Sequence, residues 1–194
     1  LVRSSNVGSV LLAKKIGETN YKEFIKETDI TQNPKIELEE VGVPHKLKWD
    51  KCKLETVSFG HGITTTPLQA TALYAAMVNG GKIIIPSLIK ERKTDNLKSI
   101  ISFDTSAKLR NILRKVVNSK DGTASLADKD GYYVGGKTGT AESYGDKKNR
   151  INTFISVFPI NKPNYTLFVM LENPKINKDL IYNYRGVKTK APYN

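Results

Sequence analysis

Residues 131–140 of the 194-residue chain read GYYVGGKTGT and contain the groups for two different kinds of chemistry. The first eight of them, GYYVGGKT, satisfy the pattern G-x-x-x-x-G-K-[ST], in which backbone N–H groups and a lysine surround the phosphates of a nucleotide. Alternatively, Lys137, Thr138 and Gly139 form a K-T-G triplet, in which an ammonium group and a hydroxyl line the wall of an acyl-transfer site. The two interpretations require different neighbouring motifs and different secondary structure.

A phosphate-binding loop follows a buried strand and opens a helix, so that the N-terminus of the helix faces the phosphates. The preceding residues, ASLADKD at 124–130, are not a buried strand, and the glycines at 139 and 145 disfavour a following helix. Tyr132 and Tyr133 are bulky where the backbone must wrap a phosphate. We therefore reject the nucleotide-binding interpretation.

The acyl-transfer interpretation requires a second motif, S-x-N, on the N-terminal side of the K-T-G triplet. Ser4, Ser5 and Asn6 form the only S-x-N in the sequence, and they precede Lys137 in the required order. Each motif has only three residues and is weak evidence when taken alone. The alternative for Ser4 and Asn6 is that they cap a helix, because both residue types commonly stand before an apolar helical segment.

The composition is that of an ordinary globular domain. Apolar residues are 39% of the chain and charged residues 26%, a composition too apolar for a disordered chain. The length of 194 residues is enough to form one domain with a single hydrophobic core. The net charge of +12 is compatible with an anionic partner, but the lysines are scattered, which favours solvated faces. Cys52 is the only cysteine, and its spacing from His45 and His61 matches no zinc site, so we expect no metal or organic cofactor.

Apolar residues recur at helical spacing in the first two thirds of the sequence. In the clearest helix, TPLQATALYAAMVNGG, Thr66 can cap the start, Pro67 suits the first position, and Gly80 and Gly81 end it. Its alanines let neighbouring backbones approach closely, which predicts a central helix. The other predicted helices are residues 7–16, residues 20–28, and a segment that begins at Asp104 or Thr105 with an outward basic face of Lys108, Arg110, Arg114 and Lys115.

The periodicity becomes that of strands after Gly122. Short links without an intervening helix make neighbouring strands antiparallel, and helices followed by hairpin-linked strands define an α+β fold. The segment KIIIP at 82–86 predicts a further short strand. The strands predicted in the last third of the chain are residues 132–140, 152–158 and 165–171.

Three segments together resemble the successive signatures of class B penicillin-binding proteins, the monofunctional D,D-transpeptidases of bacterial cell-wall synthesis. They are RSSNVG at 3–8, FGHGITTTPLQ at 59–69 and GGKTGTAE at 135–142. The resemblance runs from Ser4 to about Asn173 and favours the division (septal) branch of the family. It implies the penicillin-binding, serine β-lactamase-like transpeptidase fold, an antiparallel sheet with packed helices.

The sequence departs from the family pattern at the nucleophile. In the family, S-x-x-K precedes S-x-N and supplies the attacking serine, but only LVR precedes Ser4. The one S-x-x-K, from Ser87 to Lys90, lies between the other two motifs and follows a predicted strand, so we treat it as chance. We therefore expect residues 1–194 to be a partial, incomplete transpeptidase domain that lacks the nucleophile and is inactive alone. His61 also replaces a usual glutamine, and the expected closing helix after Lys175 is missing.

The resemblance implies catalytic roles for Ser4, Asn6 and Lys137 and substrate-binding roles for Thr138, Gly139 and Thr140. Ser4 would complete the proton path to the leaving amine, since a hydroxyl both accepts and donates. Asn6 would hold the substrate amide. Lys137 would hold Ser4 and attract the terminal carboxylate of the substrate, assisted by the two threonine hydroxyls. Lysine and threonine can both reach a substrate only if the strand borders the cleft edge-on, and glycine keeps that edge open.

The implied substrate is a peptidoglycan stem peptide that ends in D-alanyl-D-alanine, and β-lactam antibiotics would acylate the same enzyme. The parent protein would be anchored in the bacterial cytoplasmic membrane, with this domain on the periplasmic side near cell-division and cell-wall synthesis proteins. Two alternatives differ in class: a non-catalytic penicillin-binding sensor or receptor domain of the same fold, and a basic nucleic-acid-binding domain. We expect no nucleic-acid partner.

Overall fold

Helices precede strands throughout the part of the chain that the computed structural model describes, residues 1–90, 98–143, 146–175, 179–184 and 187–190. Helices α1 to α5 span Asn6–Ile16, Glu18–Glu27, Lys53–Val57, Pro67–Val78 and Phe103–Asn118. Strands β1 to β5 span Gly135–Ser143, Asp146–Phe158, Tyr165–Glu172, Ile181–Tyr184 and Val187–Lys190. This order confirms the predicted α+β layout. None of the described helices combines the length and the hydropathy that crossing a membrane requires.

The first three strands form one antiparallel sheet in the order β1-β2-β3. Gly139 of β1 lies opposite Thr153 of β2, and Phe154 of β2 lies opposite Val169 of β3. Within the described residues β1 is therefore an edge strand, with one side of its backbone unpaired in the sheet. Strands β4 and β5 pair with each other in a separate antiparallel hairpin.

Helices α4 and α5 pack against this sheet and form the core. One buried cluster joins Val78 of α4, Leu113 of α5, Val157 of β2 and Ile160. A second cluster consists of Val116, Val117, Ala124 and Val134, and Val2 packs against it from the N-terminal segment. The second cluster thus joins the C-terminal half of α5 to the approach to β1 and to the first residues of the chain.

The central position of α4 agrees with its sequence. Thr66 accepts a hydrogen bond from the Gln69 N–H, the Gln69 side chain returns to the Thr66 backbone, and Pro67 is the first helical residue. No side chain from 68 to 78 is exposed. Helix α5 begins at Phe103, just before the predicted start, because the Ser102 side chain accepts from the Thr105 N–H and caps it.

Three predicted strands differ from the structure, one of them because β2 begins at Asp146 instead of residue 152. Segment 82–86 makes only an isolated bridge between Lys82 and Ser99 within the described residues, so an apolar run alone did not produce a strand. Strand β1 begins at Gly135 instead of residue 132. Tyr133 has a φ of 51°, in the left-handed region, and a strand cannot pass through that conformation.

The predicted basic face of α5 is only partly solvated. Arg110 donates to the Val78 carbonyl at 2.9 Å. Arg114 donates to the Val134 carbonyl at 2.8 Å and forms an ion pair with Asp128 at 2.7 Å. Two of the four cations therefore tie α5 to α4 and to the segment before β1, which removes them from a nucleic-acid-binding surface.

Candidate active site

The chain enters α1 through a tight turn that presents Ser4. The Ser4 N–H donates to the Leu1 carbonyl at 3.0 Å, and Ser4 has a φ of 52°. Ser5 is the N-cap, because its hydroxyl accepts from the Gly8 N–H at 3.1 Å, and Asn6 is the first helical residue with an exposed side chain. The capping function thus belongs to Ser5. Ser4 stands one residue before the cap in a sparsely populated conformation, which often marks a functional position.

The hydroxyl of Ser4 meets the ammonium group of Lys137, 133 residues later in the chain. Lys137 Nζ donates to Ser4 Oγ at 2.8 Å and to the carbonyl of Thr138 at 2.8 Å. A lysine ammonium has three donors, so among the described residues one is left for a further partner. Partial burial lowers the pKa of Lys137 from its usual value, because desolvation disfavours the charged form.

Thr138 leaves β1 on the face opposite to Lys137, as strand geometry requires. Its Oγ1 lies 2.7 Å from Oγ1 of Thr123, in the loop that follows α5. The same loop carries Asp121, which forms an ion pair with Arg3 at 2.7 Å. Lys137 is therefore bonded to the segment of residues 1–5, and Thr138 is bonded to the loop of residues 119–124. The ion pair between Arg3 and Asp121 joins these two segments to each other. That both side chains reach a substrate along the edge of β1 stays a prediction.

Close packing against β2 explains why residue 139 is a glycine, in addition to any role that Gly139 has toward a substrate. A Cβ atom built on Gly139 would lie 2.5 Å from Oγ1 of Thr153 on the neighbouring strand, closer than real Cβ contacts. Thr140 is exposed at the following position of β1. A side chain at position 139 would therefore push against β2, while residue 140 remains accessible.

Desolvation of Lys137 predicts a pH dependence of stability. In the unfolded chain the ammonium loses its proton at the ordinary pKa of 10.5, whereas the folded chain loses it at lower pH. Between the two pKa values the unfolded state binds more protons, so the free energy of unfolding of the wild type rises with pH in this range. We expect a Lys137→Met variant to lack this rise, as measured by urea unfolding from pH 7 to pH 11. If the free energies of unfolding of wild type and Lys137→Met differed by the same amount at every pH in that range, the prediction would be contradicted.

The structure thus joins Ser4, Lys137 and Thr138 by hydrogen bonds, and places Asn6 and Thr140 nearby on α1 and β1. Asp121 and Thr123 were not identified from the sequence. Their residue types are common in loops, and only the fold brings them to the motifs and Asp121 to Arg3, which precedes Ser4.

The structure agrees with the rejection of the alternative interpretations of two motifs. Residues 135–143 form a strand instead of the helix that a phosphate-binding loop would open. Ser87 does not lie at a helix N-terminus, and its hydroxyl donates to the carboxylate of Glu37 at 2.6 Å. Neither GYYVGGKT nor the sequence from Ser87 to Lys90 therefore has the setting that its pattern needs.

This α+β domain brings together two of the three motifs of penicillin-interacting serine enzymes, S-x-N beside a helix N-terminus and K-T-G on an edge strand. The chain belongs to the family of penicillin-binding protein transpeptidase domains, because the model of that family matches residues 1–192. This confirms the resemblance on which the sequence analysis rested.

Similar proteins agree with this assignment. The chain is 31% identical to the probable peptidoglycan D,D-transpeptidase FtsI of Caulobacter vibrioides, over 97% of this chain and 34% of that protein. It is 34% identical to stage V sporulation protein D of Bacillus subtilis, over 89% of this chain and 29% of that protein. The chain therefore spans about one third of the length of these curated relatives.

Solved structures share the fold. The crystal structure of penicillin binding protein 3 from Mycobacterium tuberculosis, complexed with aztreonam, matches with a TM-score of 0.80 and 25% identity, over 97% of this chain and 46% of that chain. The transpeptidase domain of penicillin-binding protein 3 from Burkholderia pseudomallei matches with a TM-score of 0.79 and 23% identity, over 87% of this chain and 54% of that chain. The predicted fold is therefore confirmed.

Proposed function

We propose that this chain supplies the proton-transfer and carboxylate-binding groups of a peptidoglycan D,D-transpeptidase. That enzyme cleaves a D-alanyl-D-alanine stem peptide through a serine acyl-enzyme and passes the acyl group to a neighbouring stem amine. The observation that carries the proposal is the 2.8 Å hydrogen bond between Lys137 Nζ and Ser4 Oγ. The names of the relatives and the family membership of the chain support it.

The direction of that hydrogen bond defines what Ser4 can do. A protonated lysine only donates, so the Ser4 oxygen accepts and its own proton stays available. When the nucleophilic serine attacks the carbonyl, its proton passes through Ser4 to the nitrogen of the leaving D-alanine. The C–N bond then breaks with release of a neutral amine. A positioned proton donor of this kind typically contributes about 10²–10⁴-fold to the rate.

The same groups can bind the terminal carboxylate of the stem peptide. Lys137 keeps one donor after its bonds to Ser4 and Thr138, and a charge-assisted hydrogen bond from it would be strong. The hydroxyls of Thr138 and Thr140 would complete the carboxylate site. Because β1 is an edge strand in the described structure, the peptide can add beside it as a further strand, with Gly139 at the point of approach and the Thr140 N–H as one oxyanion donor. Asn6 would hold the substrate amide.

The serine nucleophile would come from a part of the protein outside residues 1–194. In support, α1, which begins two residues after Ser4, exposes large apolar side chains: Val7 is 71% exposed, Leu11 64% and Leu12 62%. Such a row is unusual on a free surface and suits a segment of the same enzyme packed beside the site. The solved relatives are about twice as long as the matched region, and additional chain of that kind would supply such a segment.

We also assign the parent protein to the division (septal) branch, since the relatives include FtsI and stage V sporulation protein D. It would act with cell-division and cell-wall synthesis proteins, anchored in the cytoplasmic membrane with this domain on its outer side. β-Lactams would acylate its serine, and the solved complex of a relative with aztreonam supports this.

Labelled penicillin tests the proposal. We expect the full-length protein that contains these residues to form a covalent adduct that survives denaturing electrophoresis, and residues 1–194 alone to form none. A Ser4→Ala variant of the full-length protein would be acylated more slowly. Labelling of residues 1–194 would show that the nucleophile lies within them. Absence of labelling of the full-length protein would contradict the transpeptidase function.

A further inference from the structure

We propose that Thr123 is a positioning residue for substrate carboxylates: its hydroxyl donates to Thr138 and so directs the Thr138 proton toward the substrate. This inference rests on the proposed function and concerns a residue outside both motifs. The observation behind it is the 2.7 Å distance between Oγ1 of Thr123 and Oγ1 of Thr138, two partly buried hydroxyls that are 15 residues apart in the chain.

Each hydroxyl has a single proton, so the pair can be arranged in only two ways. If Thr138 donates to Thr123, Thr138 presents only lone pairs to a carboxylate and repels it. If Thr123 donates, the Thr138 proton is free for the carboxylate, and the accepted bond makes that hydroxyl a better donor. A bound carboxylate therefore selects the second arrangement. In that arrangement Thr123 fixes the rotamer of Thr138 without touching the substrate.

The backbone on both sides of Thr123 is held in place. Gly122 is buried, and a Cβ atom on it would lie 2.1 Å from the carbonyl oxygen of Val116, so this approach to α5 requires glycine. Ala124 is buried and its N–H donates to the same carbonyl at 3.1 Å. Thr123 thus stands between two residues anchored on the C-terminal part of α5, which gives its hydroxyl a defined position.

The loop that carries Thr123 also contacts the other motif. Asp121 pairs with Arg3 at 2.7 Å, one residue before Ser4. That pair is exposed and contributes little to stability by itself. Its position shows that a single loop, residues 119–124, borders both the Ser4 turn and the Thr138 hydroxyl, as expected of an element that aligns the two halves of a carboxylate site.

Saturation kinetics of penicillin acylation in the full-length protein test the inference. Thr123→Val keeps the shape of the side chain and removes the hydroxyl, and Thr123→Ser keeps the hydroxyl. We expect the valine variant to raise the half-saturating concentration about 3- to 10-fold, the effect of one lost hydrogen bond, with the limiting acylation rate unchanged. The serine variant should stay within about 2-fold of wild type. Thermal unfolding of both variants controls for folding.

A second probe removes the carboxylate from the measurement. With a penicillin whose carboxylate is converted to the neutral amide, we expect wild type and Thr123→Val to react equally. An equal loss with both probes, a loss confined to the limiting rate, or failure of Thr123→Ser to restore the wild-type value would overturn the positioning role while leaving the transpeptidase function intact. Absence of acylation in the wild-type protein would overturn both.

Discussion

Replacing Lys137 with methionine is expected to slow penicillin acylation of the full-length protein by about 10²–10⁴-fold, the range of a positioned acid–base group. The substitution removes the donor that bonds Ser4 Oγ at 2.8 Å and the positive charge next to the proposed carboxylate site. Methionine has similar length and fits a half-buried position, so the protein should still fold. The rate of adduct formation at saturating and subsaturating penicillin is the measurement.

Two comparisons make this result specific. Lys162→Met removes an exposed lysine from the turn between β2 and β3 and should leave the rate unchanged. Ser4→Ala combined with Lys137→Met should be scarcely slower than Lys137→Met alone, because residues that act as one unit lose their function together. If the double variant were slowed by the product of the two single-variant reductions in rate, Ser4 and Lys137 would act independently. An acylation rate equal to wild type in Lys137→Met would contradict the proposed mechanism.

Gly81→Ala is expected to lower the free energy of unfolding by about 2–5 kcal/mol, combining a left-handed backbone penalty with an overpacked contact. Gly81 follows α4 with a φ of 92°, and a Cβ atom on it would lie 2.0 Å from the carbonyl oxygen of Ile101. That oxygen belongs to the backbone just before α5, so it cannot move without shifting the helix. Urea unfolding of residues 1–194 measures the effect.

Gly60→Ala is a matched control, since Gly60 has the same φ of 92° but nothing within 4 Å of a built Cβ atom. Gly60→Ala should lower the free energy of unfolding only by the penalty for a left-handed backbone, about 1–2 kcal/mol. The difference between the two variants isolates the close approach between the end of α4 and the start of α5. Equal destabilisation would show that backbone conformation alone accounts for Gly81.

Local signals in the sequence predicted much of the fold. Thr66 and Pro67 set the start of α4 because capping and proline preferences act within one turn of helix, and the antiparallel strands followed from short links between alternating segments. The apolar run at 82–86 failed as a strand prediction because a strand also needs a partner along its length. The sequence did not predict that β1 starts only after Tyr133, because a left-handed backbone is uncommon for tyrosine and no local signal indicates it.

The sequence alone determined which groups the proposed site contains, because the S-x-N and K-T-G patterns specify residue types and order. It also placed Ser4 next to a helix start and Lys137 on a strand. The tertiary structure decided that the Ser4 and Lys137 side chains meet at 2.8 Å, that Thr123 bonds Thr138, and that Asp121 pairs with Arg3. Contacts between residues that are far apart in the chain depend on how α5 and the N-terminal segment pack beside β1, and no local preference encodes that packing.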